Sequence, residues 1–374
     1  MEIYLSALRG IIEQSGLAGL TQGNAVMLAV ALVLLYLAIV KDFEPLLLIP
    51  ISFGCILVNL PLSGIIDEGG FLYYVKIGLD HEIYPILIFM GIGALTDFGP
   101  LLANPITFLL GAAAQLGVFV ALVGAVCMGF SLPAAASIGI IGGADGPIAF
   151  YICQRLCRDI LPAVAVAAYS YMSLVPLIQP PVIKLLTTKE DRGIKMEQLQ
   201  PVSKTERILF PILSTVVCGL ILPAAVPLIG ILMFGNLLRE SGATERLSQA
   251  TQNEILNATT IFLGISVGAT MQAESFLRMD TLKIIALGLV AFVFSTAGGV
   301  LFGQLLKVLS GRKINPVIGA AGVSAVPMAA RVCQKVVQQE YPGSYVLMHA
   351  MGPNVAGVIG TTIAGGAMIT LLIH

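Results

Sequence analysis

The chain has 374 residues, of which 57% are apolar and 11% charged, with a net charge of −1 and a mean hydropathy of +0.94. A soluble domain carries about 25% charged residues, so a water-soluble globular protein is excluded and the chain belongs in a bilayer. Nucleic acid is excluded as a partner too, because no basic patch stands out.

The opening residues, MEIYLSALRGIIEQSGLAGL, hold too many charges to cross hydrocarbon. Ile3, Leu5, Leu8, Ile11 and Ile12 can form one apolar face, so an interfacial amphipathic helix is expected over 1–24. A signal peptide is not expected, since no apolar run follows a basic start. Uncharged runs follow at 14–40, 45–66, 83–96, 98–144, 160–183, 208–238, 255–273, 284–306, 314–330 and 341–374. About 20 apolar residues cross the hydrocarbon as a helix, so the longest runs hold more than one crossing. The expected fold is an all-α polytopic membrane protein with about ten crossings and two broken elements.

Residues 184–207, KLLTTKEDRGIKMEQLQPVSKTER, carry 10 of the 41 charged residues, six of them basic. The excess of Lys and Arg places this loop in the cytoplasm. It separates two membrane segments, 25–183 and 208–374. These nearly repeat each other: 138–156 aligns without a gap on 318–336, with seven of 19 positions identical. PISFGCILVN (50–59) matches PLIGILMFGN (227–236) at its ends, and FMGIGAL (89–95) echoes FLGISVG (262–268). Three matches in one order argue for duplication. Repeated halves interrupted by Gly and Pro at corresponding places point to a transporter-like site. Freed backbone groups at that depth must be buried in protein or line a wet cavity. Periodicity leaves open whether the repeats are inverted.

Six cysteines, at 55, 127, 153, 157, 218 and 333, show no metal spacing and read as free core residues. The three histidines, His81, His349 and His374, lack partners in sequence.

Asp145 in GGADGPIAFY ends a run of 47 uncharged residues. A carboxylate at that depth costs roughly 3 kcal/mol. It could cap a helix or pair with a cation as a structural residue, but Gly143, Gly146 and Pro147 place it at a break facing a cavity. There a proton and a small hard cation can compete for it. At the matching position in the second half stands Ala325, but Ser324, with a hydroxyl oxygen, precedes it and Arg331 follows. Arg331 can pair with a side chain, snorkel, or grip a planar carboxylate through two parallel hydrogen bonds. Asn315, Asn354 and Tyr171 add oxygen ligands suited to sodium. Asp97 reads equally well as a helix-end residue.

With GGADGP, TDFGPLLANP, SAVPMAAR and GPNVAGVIG in this order, the chain resembles the β subunits of the sodium-pumping, biotin-dependent decarboxylases. The likeness runs from about residue 25 to the end. It implies an inverted repeat with two hairpin-like broken elements, arranged as core plus scaffold. It also implies that the protein decarboxylates carboxybiotin carried on a partner subunit and exports sodium from the cell. The implied partners are a biotin-carrying carboxyltransferase, a small γ or δ membrane subunit, and further β subunits in a trimer. Position by position, Asp145 matches the sodium-binding aspartate, Tyr171, Asn315, Gly319, Ser324 and Asn354 match residues of ion binding and coupling, and Arg331 matches the arginine of that function. The rival expectation is a secondary sodium/proton antiporter or sodium–carboxylate symporter with no enzyme partner. A mere membrane anchor would leave Asp145 and Arg331 unexplained.

Overall fold

The computed structural model describes residues 15–41 and 44–373, and every regular element among them is helical. The interfacial helix expected at 1–24 falls largely outside the described residues; from 15 the chain turns before its first helix. That helix, α1 (Gln22–Val40), is capped by Thr21, whose hydroxyl accepts from the Asn24 amide. Pro45 opens α2 (Pro45–Val58), where its missing N–H costs nothing. Next come α3 (Phe71–Asp80) and α4 (Ile83–Leu95), a pair bent by 64°.

The long uncharged run 98–144 divides into α5 (Gly99–Ala103), α6 (Phe108–Ala114), α7 (Leu116–Cys127) and α8 (Leu132–Ile140). After a 3-10 turn at Ile141–Gly143 follows α9 (Gly146–Leu156), then α10 (Leu161–Leu186), which bends by 62°. The charged stretch holds the short α11 (Lys189–Arg192). Beyond it lie α12 (Lys204–Ile221), α13 (Val226–Glu240), α14 (Glu245–Ala250), α15 (Leu256–Ala269), α16 (Ala273–Phe276) and the 31-residue α17 (Met279–Leu309). A second 3-10 stretch, Pro316–Gly322, precedes α18 (Met328–Glu340) and α19 (Leu347–Leu372). Four described stretches, at 22–40, 105–127, 279–309 and 347–372, are long and apolar enough to cross alone, or six spans with the two bent pairs. By that measure the spans number fewer than the ten or so expected, because broken and short helices share the remaining length.

The motifs matched between the halves pack across them. Helix α2 lies on α15, and α13 lies on α4, each pair meeting through glycine. A Cβ on Gly54 would strike the carbonyl of Ile265, and one on Gly93 that of Leu232. Such close approach lets backbones touch where lipid supplies no hydrophobic drive. Asn59 and Asn236, the last residues of the two matched decapeptides, do the same work. Asn59 Nδ2 donates to the carbonyl of Met271 at 2.8 Å, just past α15. Asn236 Nδ2 donates to that of Thr96 at 2.9 Å, just past α4.

The charged stretch is less free than its composition suggests. Asp191 accepts from Lys307 Nζ at 2.9 Å and Gln304 Nε2 at 3.0 Å, both on α17. Arg192 forms a two-pronged pair with Glu340 on α18, at 2.9 and 3.0 Å. Both residues are buried, so the first part of the loop is docked against the helix ends.

Candidate functional site

Helix α17 organises the centre. One turn apart on the same face, Ser295 Oγ donates to the Gly142 carbonyl at 2.6 Å and Gly299 touches Gly319 backbone to backbone. It therefore holds both broken stretches at once. The stretches also bond each other directly: the Ser324 amide donates to the Gly143 carbonyl at 2.9 Å.

Asp145 sits at this crossing, 4% exposed. Ala144 before it takes a left-handed conformation, φ 56°, which turns the chain from the 3-10 segment into α9. Asp145 then caps α9, its Oδ1 accepting from the Ile148 amide at 3.0 Å. Its other oxygen takes no hydrogen bond from a described residue. The same carboxylate lines a cavity of about 240 Å³ together with Ser324, Pro147 and Val326.

The Ser324 hydroxyl is oriented by a chain of partners. It lies 2.7 Å from Thr361 Oγ1, and Thr361 Oγ1 donates to Gln115 Oε1 at 3.1 Å. Gln115 Nε2 in turn donates to the Gly111 and Gly357 carbonyls, at 3.2 and 3.4 Å. Thr361 has a single hydroxyl proton. Because Gln115 receives it, Ser324 must donate to Thr361, which leaves the Ser324 oxygen free to accept. Ser324 and Asp145 line the same cavity, and their uncommitted oxygens form a donor set suited to a hard cation.

Asn354 packs on the second broken stretch. Its Nδ2 donates to the Ala321 and Val323 carbonyls at 3.1 and 2.7 Å, while its buried Oδ1 has no protein partner. Gly319 contributes a close crossing against Gly299 rather than a ligand.

Two expected members are placed elsewhere. Asn315 Nδ2 donates to the Arg192 and Ile194 carbonyls at 3.1 and 3.0 Å, and its Oδ1 accepts from the Val317 amide, so it ties the charged stretch to the second break. The Tyr171 hydroxyl donates to the Ile285 carbonyl on α17, with its ring against Gly288. Two residues away, on the other face of α10, the Tyr169 ring packs on Gly146 beside Asp145. Tyr169 and Tyr171 share one turn of helix, and only packing selects which of them faces Asp145. Thr361 and Gln115 were missed as well. The available signals were faint: Gln115 is one of two amides in the run 98–144, and Thr361 is one of several hydroxyls in the last span.

Arg331 is exposed on α18 and forms no ion pair with a described residue. Lys335 and Gln339 follow it at four-residue spacing on the exposed face, and Lys184 of α10 donates to Gln339 at 3.1 Å. A polar stripe with basic members thus leads from the second break toward the charged stretch.

Residues 23–372 match the family described as Na+-transporting oxaloacetate decarboxylase beta subunit. The chain is 58% identical to the glutaconyl-CoA decarboxylase subunit beta of Acidaminococcus fermentans over 372 residues, covering 100% of this chain and 99% of the relative. It is 57% identical to the methylmalonyl-CoA decarboxylase subunit beta of Veillonella parvula, with the same coverage. It is 48% identical to the oxaloacetate decarboxylase beta chain of Klebsiella pneumoniae, over 98% of this chain and 99% of that one.

Proposed function

Since the chain belongs to the family of β subunits of sodium-transporting decarboxylases, and so is the membrane subunit of a sodium pump, we propose that Asp145 and Ser324 form its ion-coupling site. One observation carries the reading: two broken stretches, joined by the Ser324–Gly143 bond, place a buried carboxylate and a free hydroxyl oxygen on one cavity. Asn354 Oδ1 is a further ligand close to the second break. The antiporter and symporter alternatives have no counterpart among the named relatives, which are decarboxylase subunits.

Arg331 takes the substrate carboxylate. Its guanidinium is exposed and unpaired among the described residues, as a residue awaiting a planar anion should be. Carboxybiotin, carried on a soluble partner, supplies an N–CO₂⁻ bond whose cleavage releases CO₂ and takes up one proton at nitrogen. Asp145 holds sodium in one state and a proton in the other, so consuming a proton at the site couples to losing the ion. Ser324, aligned by Thr361, follows the cation and not the proton, because its own hydrogen is already committed. Moving one charge against the membrane potential costs about 2.3 kcal/mol per 100 mV, within reach of a decarboxylation that exports one or two ions.

The charged stretch faces the cytoplasm of the cell, by its six basic residues. The soluble carboxyltransferase docks there, a small membrane subunit completes the complex, and β subunits associate as trimers. The halves 25–183 and 208–374 act as the two repeats whose breaks move together against a fixed scaffold.

The test is sodium-dependent decarboxylation by the purified complex, with Asp145→Asn in this subunit. Loss of sodium-stimulated turnover is the expected result, with the subunits still co-purifying on avidin. Retention of sodium-stimulated turnover by Asp145→Asn would overturn the assignment.

A further inference from the structure

The cavity lined by Asp145 is lined by a second carboxylate as well. Glu44 lines it at the head of α2, together with Leu47 of the same helix and Asn257 and Thr260 of α15. The lining also includes Leu95, the last residue of α4. Its carbonyl accepts from Arg239 Nη1 at 2.8 Å, and Asp97 two residues on pairs with Arg207 at 3.4 Å. Arg207 ends the charged stretch, so the part of the lining formed by Leu95 lies on the same side as that stretch.

Among the described residues, two acidic side chains and no basic one line this cavity. Glu44 makes no ion pair and no side-chain hydrogen bond with a described residue. The almost fully buried Asp145 keeps one oxygen without a partner among the described residues. A largely apolar cavity whose described charged groups are all negative focuses the field and concentrates cations within it. Asn257 and Thr260, one turn apart on α15, add neutral oxygens to the same lining.

We propose that Glu44 is a cation-collecting site at the mouth of this passage, which draws sodium in from the charged-stretch side and passes it by Asn257 and Thr260 to Asp145. The inference rests on the assignment of Asp145 as the coupling residue. Glu44 adds a step that the coupling chemistry does not require, namely capture before binding. Its effect is felt when sodium is scarce and fades when the passage is saturated or its charge is screened by salt.

The experiment uses the whole complex in liposomes, with sodium supplied on the face where substrate is decarboxylated. Initial rates are followed against sodium concentration at low ionic strength and again with added choline chloride. For Glu44→Gln the half-saturating sodium concentration should rise about threefold to tenfold at low ionic strength, while the rate at saturating sodium changes less than twofold. Choline should narrow the difference, and Glu44→Asp should recover most of it. An unchanged half-saturating concentration, or a loss of rate in equal proportion at every sodium level, overturns the proposal. Asp145→Asn run in parallel separates the two ideas: sodium-stimulated turnover in that variant defeats the coupling assignment, whereas its loss with a silent Glu44→Gln defeats only the collecting role.

Discussion

The amide of Ser324 donates to the carbonyl of Gly143 at 2.9 Å, and this single bond joins the broken stretch of one half to that of the other. It satisfies two backbone groups that helix breaks would otherwise leave bare at membrane depth. It also fixes the distance between the Asp145 turn and the Ser324 hydroxyl, so the site depends on both halves keeping their register.

Gly143 tolerates no side chain. A Cβ there would lie 2.5 Å from the Thr361 methyl and 2.6 Å from its hydroxyl oxygen. Overpacking of this kind costs about 1–3 kcal/mol, and here it pushes Thr361 off Ser324. Gly143→Ala should therefore weaken sodium binding by tenfold or more, measured as the sodium concentration that half-protects the purified subunit from heat. An unchanged sodium response would show that the crossing does not set the site.

Thr361 gives Ser324 its polarity. Thr361→Val keeps the shape but strands Gln115 Oε1 and frees the Ser324 hydrogen to point into the cavity. Leaving a buried polar group unpaired costs about 1–3 kcal/mol, so the half-saturating sodium concentration should rise about tenfold, with folding retained. Thr361→Ser, which restores the hydroxyl, should behave like the parent. Equal loss in both variants would contradict the assigned donor direction.

Arg331 should separate activity from stability. It is exposed and holds no ion pair among the described residues, so Arg331→Ala should shift unfolding by no more than about 0.5 kcal/mol. Decarboxylation should nonetheless collapse. Arg331→Lys should recover little, because a point charge cannot form the two parallel bonds of a guanidinium. A variant that loses stability and activity together would assign Arg331 a structural role.

The charged stretch supplies a pH-dependent element outside the membrane. Burial alone would raise the Asp191 carboxyl, but hydrogen bonds from Gln304, Lys307 and Thr188 outweigh it and hold the group well below the ordinary carboxylate range. A lowered native value stabilises the fold above the unfolded value of about 3.9 and is lost as pH falls through the native one. Asp191→Asn should thus lower the melting temperature at pH 7 and pH 5 alike, by about 2 kcal/mol of stability. The gap should close only as pH drops below about 4. A gap that closes between pH 7 and pH 5 would rule Asp191 out as its source.

Much of the candidate site could be read from residues alone. Asp145, Ser324 and Asn354 stood out because polar groups are expensive among apolar neighbours, and the aligned Gly and Pro marked both breaks. Asn315 and Tyr171 looked identical by that criterion, yet they satisfy backbone carbonyls of Arg192, Ile194 and Ile285 instead. Composition reports that a polar group needs a partner but does not name the partner.

The sequence by itself determined the solvent, the segmentation into apolar runs and the places where helices must break, since each follows from local transfer and backbone energies. Only the tertiary structure decided that α2 packs on α15 and α13 on α4, that Tyr169 and not Tyr171 faces the Asp145 turn, and that Gln115 and Thr361 orient Ser324. Those outcomes depend on close approach between residues up to about 250 positions apart. They are settled by which glycines let backbones touch and which carbonyls remain unpaired, quantities that exist only once the chain has closed on itself.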